Sequence, residues 1–195
     1  PKAVTSCPVI CVGNFVVGGA GKTPTTLAIA KIAKSMGLQP GFLSRGYGGS
    51  VTDALLVAPT KHNAGLVGDE ALLLARSGPT VVSPDRPAGA RLLEQQAVDF
   101  ILMDDGFQNP SLYKDYSIAV VDAYRGMGNG FCIPAGPLRA DLTTQLSAAS
   151  AVLLVGKSSF PSPVVRRAAQ MARPVLQSKI KIKDAARWEG RKVLA

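Results

Sequence analysis

The chain has 195 residues, 47% apolar and 18% charged, which excludes a disordered chain and suits one globular domain with its own core. Its net charge of +9, from 22 basic and 13 acidic side chains, is compatible with phosphorylated ligands, an anionic membrane surface or nucleic acid. Aromatic residues make up only 6% and do not interleave with basic ones, so anionic ligands and a negative membrane surface are expected, and no nucleic acid.

The first predicted elements lie in Pro8 to Thr26, PVICVGNFVVGGAGKTPTT. Val9 to Val12 is a continuous apolar run, as in a strand buried on both faces. Gly13, Gly18, Gly19 and Gly21 follow, then Lys22-Thr23 and a helix predicted over Thr23 to Met36, stopped by Gly37. Pro24 is tolerated in that first turn, where its missing N–H would have no helical partner. Strand, glycine turn, Lys-Thr and helix is the order a phosphate-binding loop requires: freed backbone N–H groups and the helix N-terminus cradle phosphate. Val16, Val17, Gly18, Gly19, Ala20, Gly21, Lys22 and Thr23 are the predicted nucleotide-binding residues, with Lys22 on the β- and γ-phosphates and the Thr23 hydroxyl on Mg²⁺. Val16 replaces the usual first glycine of the motif, and Val17 excludes the signature lysine of the deviant KGGxGKT loop.

Gly41 to Ser44 is a second strand opening into the loop Ser44-Arg45-Gly46-Tyr47-Gly48-Gly49, and Ala54 to Val57 reads as an edge strand or hairpin arm. Asp69 and Glu70 precede a helix predicted over Ala71 to Arg76. They read equally well as a cap with a first-turn acid or as a general base toward an acceptor hydroxyl. Thr80 to Ser83 is a strand and Pro87 to Gln96 a helix opened by Asp85-Arg86. Asp99 to Asp104 is a buried strand ending in the pair Asp104-Asp105, which suits Mg²⁺ beside Thr23. Ser117 to Asp122 is a further strand, followed by a glycine- and proline-rich loop from Tyr124 to Leu142. Ala151 to Val155 is another strand, Val164 to Ala172 a basic helix, and Val175 to Ile182 an extended piece.

Alternating apolar strands and helices predict an α/β P-loop NTPase fold, a mostly parallel sheet with helices on both faces and its functional loops at the strand carboxyl ends. Residues 1–157 form the expected nucleotide-binding core and 158–195 the truncated start of a linker or second lobe. Arg45, Arg86, Arg125 and Arg139 are candidate clamps on phosphate or an anionic acceptor. Val155-Gly156-Lys157-Ser158 lacks the Asn-Lys-x-Asp guanine signature, so ATP is expected rather than GTP. Cys7, Cys11 and Cys132 are odd in number and lack zinc spacing, so reduced thiols are expected; His62, in a polar run, reads as a solvated loop residue. No run of 18 apolar residues suggests a bilayer span. A chain that starts at Pro1 without Met and ends on Val193-Leu194-Ala195 reads as a fragment.

Several blocks then occur in order: Val12-Gly13-Asn14 through Gly18-Gly19-Ala20-Gly21-Lys22-Thr23-Pro24, Ser44-Arg45-Gly46-Tyr47-Gly48, Val67-Gly68-Asp69-Glu70, Asp104-Asp105-Gly106-Phe107-Gln108, and Gly128-Asn129-Gly130 with Pro134-Ala135-Gly136-Pro137-Leu138-Arg139. Through them the chain resembles the tetraacyldisaccharide 4′-kinase family, the lipid A 4′-kinases of Gram-negative bacteria. The resemblance implies transfer of the γ-phosphoryl of Mg-ATP to the 4′-hydroxyl of a tetraacyldisaccharide 1-phosphate. It further implies peripheral contact with the anionic inner membrane, at its cytoplasmic face. It casts Asp69 as the catalytic aspartate, Arg86 and Arg139 as arginines near the phosphates beside Lys22, and Asp104 with Asp105 as the metal-associated pair. Asn109 stands where many members have His, and Ala140 where many have Glu. The family's hydrophobic N-terminal helix and the histidine that partners the aspartate are expected to lie outside this chain, which should bind ATP but phosphorylate poorly alone. The alternative is a P-loop ATPase acting as a switch or assembly protein without a lipid acceptor.

Overall fold

The computed structural model describes residues 2–157 and 163–180. The first apolar run forms β1 (Val9–Gly13), flanked in parallel by β5 (Phe100–Asp104) and β6 (Tyr116–Asp122). The β1 and β5 runs lack apolar–polar alternation because both faces of a central parallel sheet are covered. Toward one edge lie β2 (Pro40–Ser44), β4 (Thr80–Val82) and the short β3 (Leu55–Leu56), and toward the other β7 (Ala151–Val155) and β8 (Val175–Ser178). The eight strands run in the order β3-β4-β2-β5-β1-β6-β7-β8, all parallel except the β3–β4 pair.

On one face α1 (Lys22–Ser35) and α3 (Asp69–Ala75) set Ala30, Ala33 and Leu74 against Phe42, Phe100 and Leu102. On the other, α4 (Arg86–Glu94), α5 (Leu142–Ser147) and α6 (Pro163–Gln170) cover Val9, Cys11, Ile101, Met103 and Ala119 with Ala90, Leu93, Leu146, Val164 and Ala168. The predicted α/β architecture is the one observed. Two helices are additional to the sequence reading. Helix α2 (Ala64–Val67) and helix α5 arise where no helix is predicted, each begun by a side-chain cap: Asn63 accepts from the Leu66 N–H, and Asp141 from the Thr143 and Thr144 N–H groups. Such short helices owe their ends to caps rather than to an apolar period. Helix α3 starts at Asp69, two residues before the predicted Ala71, with Gly68 in the cap position.

The stretch 158–195, expected as a linker or second lobe, supplies α6 and β8, and β8 pairs in parallel with β7. Residues 158–162 and those after 180, including the end of the predicted extended piece at Ile182, lie outside the described residues. The cysteines are free thiols. Burial pushes the Cys11 thiol up to about 12, which leaves it an unreactive core residue.

The register pairs Val12 with Asp104, so the end of the glycine-loop strand and the carboxylate strand emerge side by side. Close approach of the turn after β5 depends on Gly13, where an added Cβ would overlap the Cβ of Phe107. Phe107 in turn packs edge-on against Phe15, with ring centroids 5.5 Å apart. Gly13→Ala is therefore expected to cost about 1–3 kcal/mol through overpacking, read as a lower urea midpoint; an unchanged midpoint would mean that the turn can move away freely.

Candidate phosphate and acceptor site

The chain leaves β1 through Asn14 and turns into α1 by way of Gly18 (φ 103) and Gly21 (φ 86), left-handed conformations that favour glycine. Gly21 is the α1 N-cap and offers no side-chain cap, so the helix end presents its backbone N–H groups outward. Among the described residues, the N–H groups of Gly18, Gly19, Ala20 and Gly21 have no backbone acceptor, whereas the Val17 N–H donates to the Pro137 carbonyl at 2.9 Å. Val16 contributes its carbonyl to Arg139 Nε at 3.3 Å. The Val17 N–H is therefore engaged, while those from Gly18 to Gly21 have no backbone partner among the described residues.

Lys22 Nζ lies 3.4 Å from the Gly18 carbonyl and 3.6 Å from Asp105 Oδ2. The Thr23 hydroxyl donates to Asp104 Oδ2 and the Thr26 hydroxyl to Asp104 Oδ1, both at 3.1 Å. Asp104 is 2% exposed, and burial foremost raises its carboxyl to about 6, with the Glu70 and Asp105 charges adding to the rise against the two threonine hydrogen bonds. Asp105 follows in a left-handed conformation (φ 49), uncommon for a residue with a side chain. There its Oδ2 meets both Lys22 Nζ and, at 3.5 Å, Arg139 Nη2. The two adjacent aspartates divide the work: one faces threonine hydroxyls, the other cations.

Beside this junction is a cavity of about 310 Å³ lined by Arg45, Arg86, Asp105, Gln108, Asn109 and Arg139, with two prolines. Arg86 is 2% exposed and donates to the Ser83 carbonyl. Its Nε is buried without a partner among the described residues. Burial, then the charge of Arg45, lowers its pKa, so an anion in the cleft would relieve both. Arg125 lies exposed, away from the cavity lining. His62 accepts at Nδ1 from the Ala58 N–H within its own loop.

Lys22, Thr23, Asp104, Asp105, Arg86 and Arg139 therefore converge on one end of the sheet. Asp69 does not line the cavity; it is exposed in the first turn of α3, where its carboxylate accepts from the Glu70 N–H. The field of its neighbour Glu70 nevertheless reaches Asp104, so the start of α3 faces the same strand end. Gly68 brings α3 against the arginine loop, since a Cβ there would press on the Tyr47 carbonyl.

Several participants escape a sequence reading. Thr26 belongs to the site because it lies one turn after Thr23, a spacing that could have flagged it. Gln108 and Gln145 meet across 37 residues, and no local pattern announces the pair. Asn109 caps the following turn, accepting from the Ser111 N–H and hydroxyl. Half-buried Lys114 donates to the Phe107 carbonyl at 2.8 Å and the Asn109 carbonyl at 2.7 Å, fastening the Asp105–Pro110 turn from behind. Lys114→Met would leave both carbonyls without this donor, at an expected cost of about 1–3 kcal/mol in chemical denaturation; a change below about 0.5 kcal/mol would refute the fastening role.

Among the described residues no cluster of three or more His, Cys, Asp or Glu side chains could hold a metal. Mg²⁺ at a nucleotide needs no such cage, since it takes one or two carboxylates, phosphate oxygens and water. Buried Asp104, held by the Thr23 hydroxyl and reluctant to carry its charge alone, is a donor set that fits.

The sequence profile of the family described as tetraacyldisaccharide-1-P 4′-kinase matches residues 1–195. A relative named tetraacyldisaccharide 4′-kinase from Rhizobium etli is 52% identical over 194 residues, 100% of this chain and 56% of its own length. One of the same name from Methylobacterium is 51% identical, again over 100% of this chain and 59% of its own. The chain thus spans little more than half the length of these relatives. A crystal structure of the Aquifex aeolicus LpxK in complex with ATP superposes with a TM-score of 0.74 at 29% identity, covering 90% of this chain and 55% of that one. The signal recognition particle 54 kDa protein of Aeropyrum pernix, with GDP, shares only the fold (TM-score 0.51, 13% identity).

Proposed function

Because this chain belongs to the tetraacyldisaccharide-1-phosphate 4′-kinase family, we propose that it binds Mg-ATP and directs the γ-phosphoryl group to the 4′-hydroxyl of a tetraacyldisaccharide 1-phosphate in lipid A biosynthesis. The observation that carries this reading is the junction of β1 and β5, where the Thr23 hydroxyl meets buried Asp104 and an arginine-lined cleft opens alongside.

Nucleotide phosphates rest on the N–H groups from Gly18 to Thr23, and Lys22 exchanges Asp105 for phosphate oxygen. Thr23 and Asp104 would hold Mg²⁺, which would supply neutralisation of charge on the phosphates. Asp105 keeps Lys22 and Arg139 oriented between turnovers, at 3.6 and 3.5 Å. Arg139 and Arg86 face the charge that spreads over the transferred group, and Arg45 with Arg86 attracts the anionic acceptor. Asp69, solvent-accessible in the first turn of α3, takes the proton of the attacking hydroxyl.

No helix among the described residues is long and apolar enough to cross a membrane. Peripheral contact with the anionic cytoplasmic face of the inner membrane rests on the net charge of +9. It does not rest on α6 and the turn after it, where Arg167 of the helix donates to Thr143 Oγ1 and Arg173, just past its end, to the Ser147 carbonyl, tying both to α5.

The test is a chimera in which this chain replaces the matching 194 residues of the Rhizobium etli relative. With γ-labelled Mg-ATP and tetraacyldisaccharide 1-phosphate in detergent micelles, label should appear on the lipid. Label released only as inorganic phosphate, at a rate indifferent to lipid, would favour an ATPase switch instead.

A further inference from the structure

We propose that Gln145 is a positioning residue for Arg139, acting through Gln108; the inference rests on reading the strand-end site as a nucleotide site. Gln145 lies in the short helix α5 and is 4% exposed. Its Nε2 donates to the Phe15 carbonyl at 3.2 Å and to the Ala140 carbonyl at 2.7 Å, and its Oε1 accepts from Gln108 Nε2 at 3.2 Å. One amide thereby grips three separate segments: the exit of β1, the residue after Arg139, and the turn after Asp105.

Two of these grips bear on Arg139, one on its backbone and one on its guanidinium. The Phe15 carbonyl also accepts the Arg139 N–H at 2.9 Å, so Gln145 and the Arg139 backbone share one anchor. Gln108 Nε2 donates in addition to the Asn14 carbonyl at 2.8 Å, which fixes its amide with Oε1 facing Arg139 Nη1 at 3.3 Å. Arg139 Nε is held by the Val16 carbonyl, leaving Nη2 for Asp105. The guanidinium is thus held on one side by Gln108, which Gln145 orients, and on another by the Val16 carbonyl, next along the chain from the Phe15 carbonyl that Gln145 grips. Both Gln145 donors and its acceptor are engaged, and in a buried setting a satisfied amide holds geometry more tightly than exposed contacts do. An apolar core would be served as well by methionine. The cost of a glutamine here is repaid only if placing the carbonyls and Gln108 matters.

Arg139 faces the γ-phosphate end of the site in this reading, so its placement governs preference for ATP over ADP. The experiment compares Kd for Mg-ATP and Mg-ADP by calorimetry in the 195-residue chain, for wild type, Gln145→Met, Arg139→Ala and the double variant. Gln145→Met should lower the ATP-to-ADP preference roughly three- to tenfold, and the double variant should lose little more than Arg139→Ala alone. A preference unchanged in Gln145→Met, or losses that simply add, would overturn the positioning role and leave a packing residue. If Gln145→Met fails to fold, Gln108→Leu severs the same link from an exposed position and should lower the preference likewise; a wild-type ratio there overturns the proposal. A folded wild type that binds neither nucleotide refutes the nucleotide reading itself, a result distinct from an unchanged ratio.

Discussion

Asp104→Asn is expected to stabilise the ligand-free chain at pH 7 while removing its Mg²⁺-dependent grip on nucleotide. The carboxyl of Asp104 titrates near 6 in the folded chain against 3.8 for an ordinary aspartate, chiefly because it is buried. A carboxyl raised on folding contributes stability that is fully present below pH 4 and is lost as pH climbs through 6, since the folded state then surrenders a proton it holds more tightly than the unfolded chain does. The linked free energy is roughly 2–3 kcal/mol. Asparagine does not titrate, so the difference in urea midpoint between variant and wild type should grow from pH 4 to pH 7 in favour of the variant. The Mg²⁺-induced gain in ATP affinity should meanwhile fall on the order of a hundredfold, as expected for deleting one charge next to a divalent ion. A stability difference that is flat in pH would contradict the buried, cation-seeking carboxylate.

Asp69→Ala in the Rhizobium etli chimera is expected to lower phosphoryl transfer about 10²–10⁴-fold, the range for removing a positioned base, with ATP affinity unchanged within about a factor of two. The residue also sits in the first turn of α3, where an acid stabilises the helix dipole by only about 0.3–1 kcal/mol. Glu70 shares that turn and is the natural control: Glu70→Gln should reproduce the small stability loss without the loss of transfer. Equal defects in the two variants, or a parallel fall in ATP affinity, would assign Asp69 to helix capping alone.

The phosphate loop, both carboxylates and the strand that carries them are legible in the order of residues alone, because buried parallel strands leave unbroken apolar runs. Glycine turns and Lys-Thr then punctuate those runs. What the sequence withholds is non-local. The register that seats Asp104 beside Val12 belongs to the strand order, in which β5 slips between β1 and β2. Arg45, Arg86, Arg125 and Arg139 look alike along the chain, and only the fold brings three of them to one cleft while leaving Arg125 outside. Helix α5 is too short for a period to declare it, so Gln145 reads as loop until Asp141 is recognised as its cap. Asn109, which departs from the histidine of many relatives by resemblance, is occupied in a turn with Ser111. That local bond explains how the backbone there is held with a different side chain.

The most direct test of the account follows backbone amide resonances of the ¹⁵N-labelled 195-residue chain during titration with Mg-ATP. The expected result is large, saturable shifts centred on Gly18 through Thr23 and the Asp104–Gln108 turn and extending to Arg139, abolished by Lys22→Ala in a chain that stays folded. Saturable shifts that bypass Gly18 to Thr23, or that persist unaltered in Lys22→Ala, would contradict it.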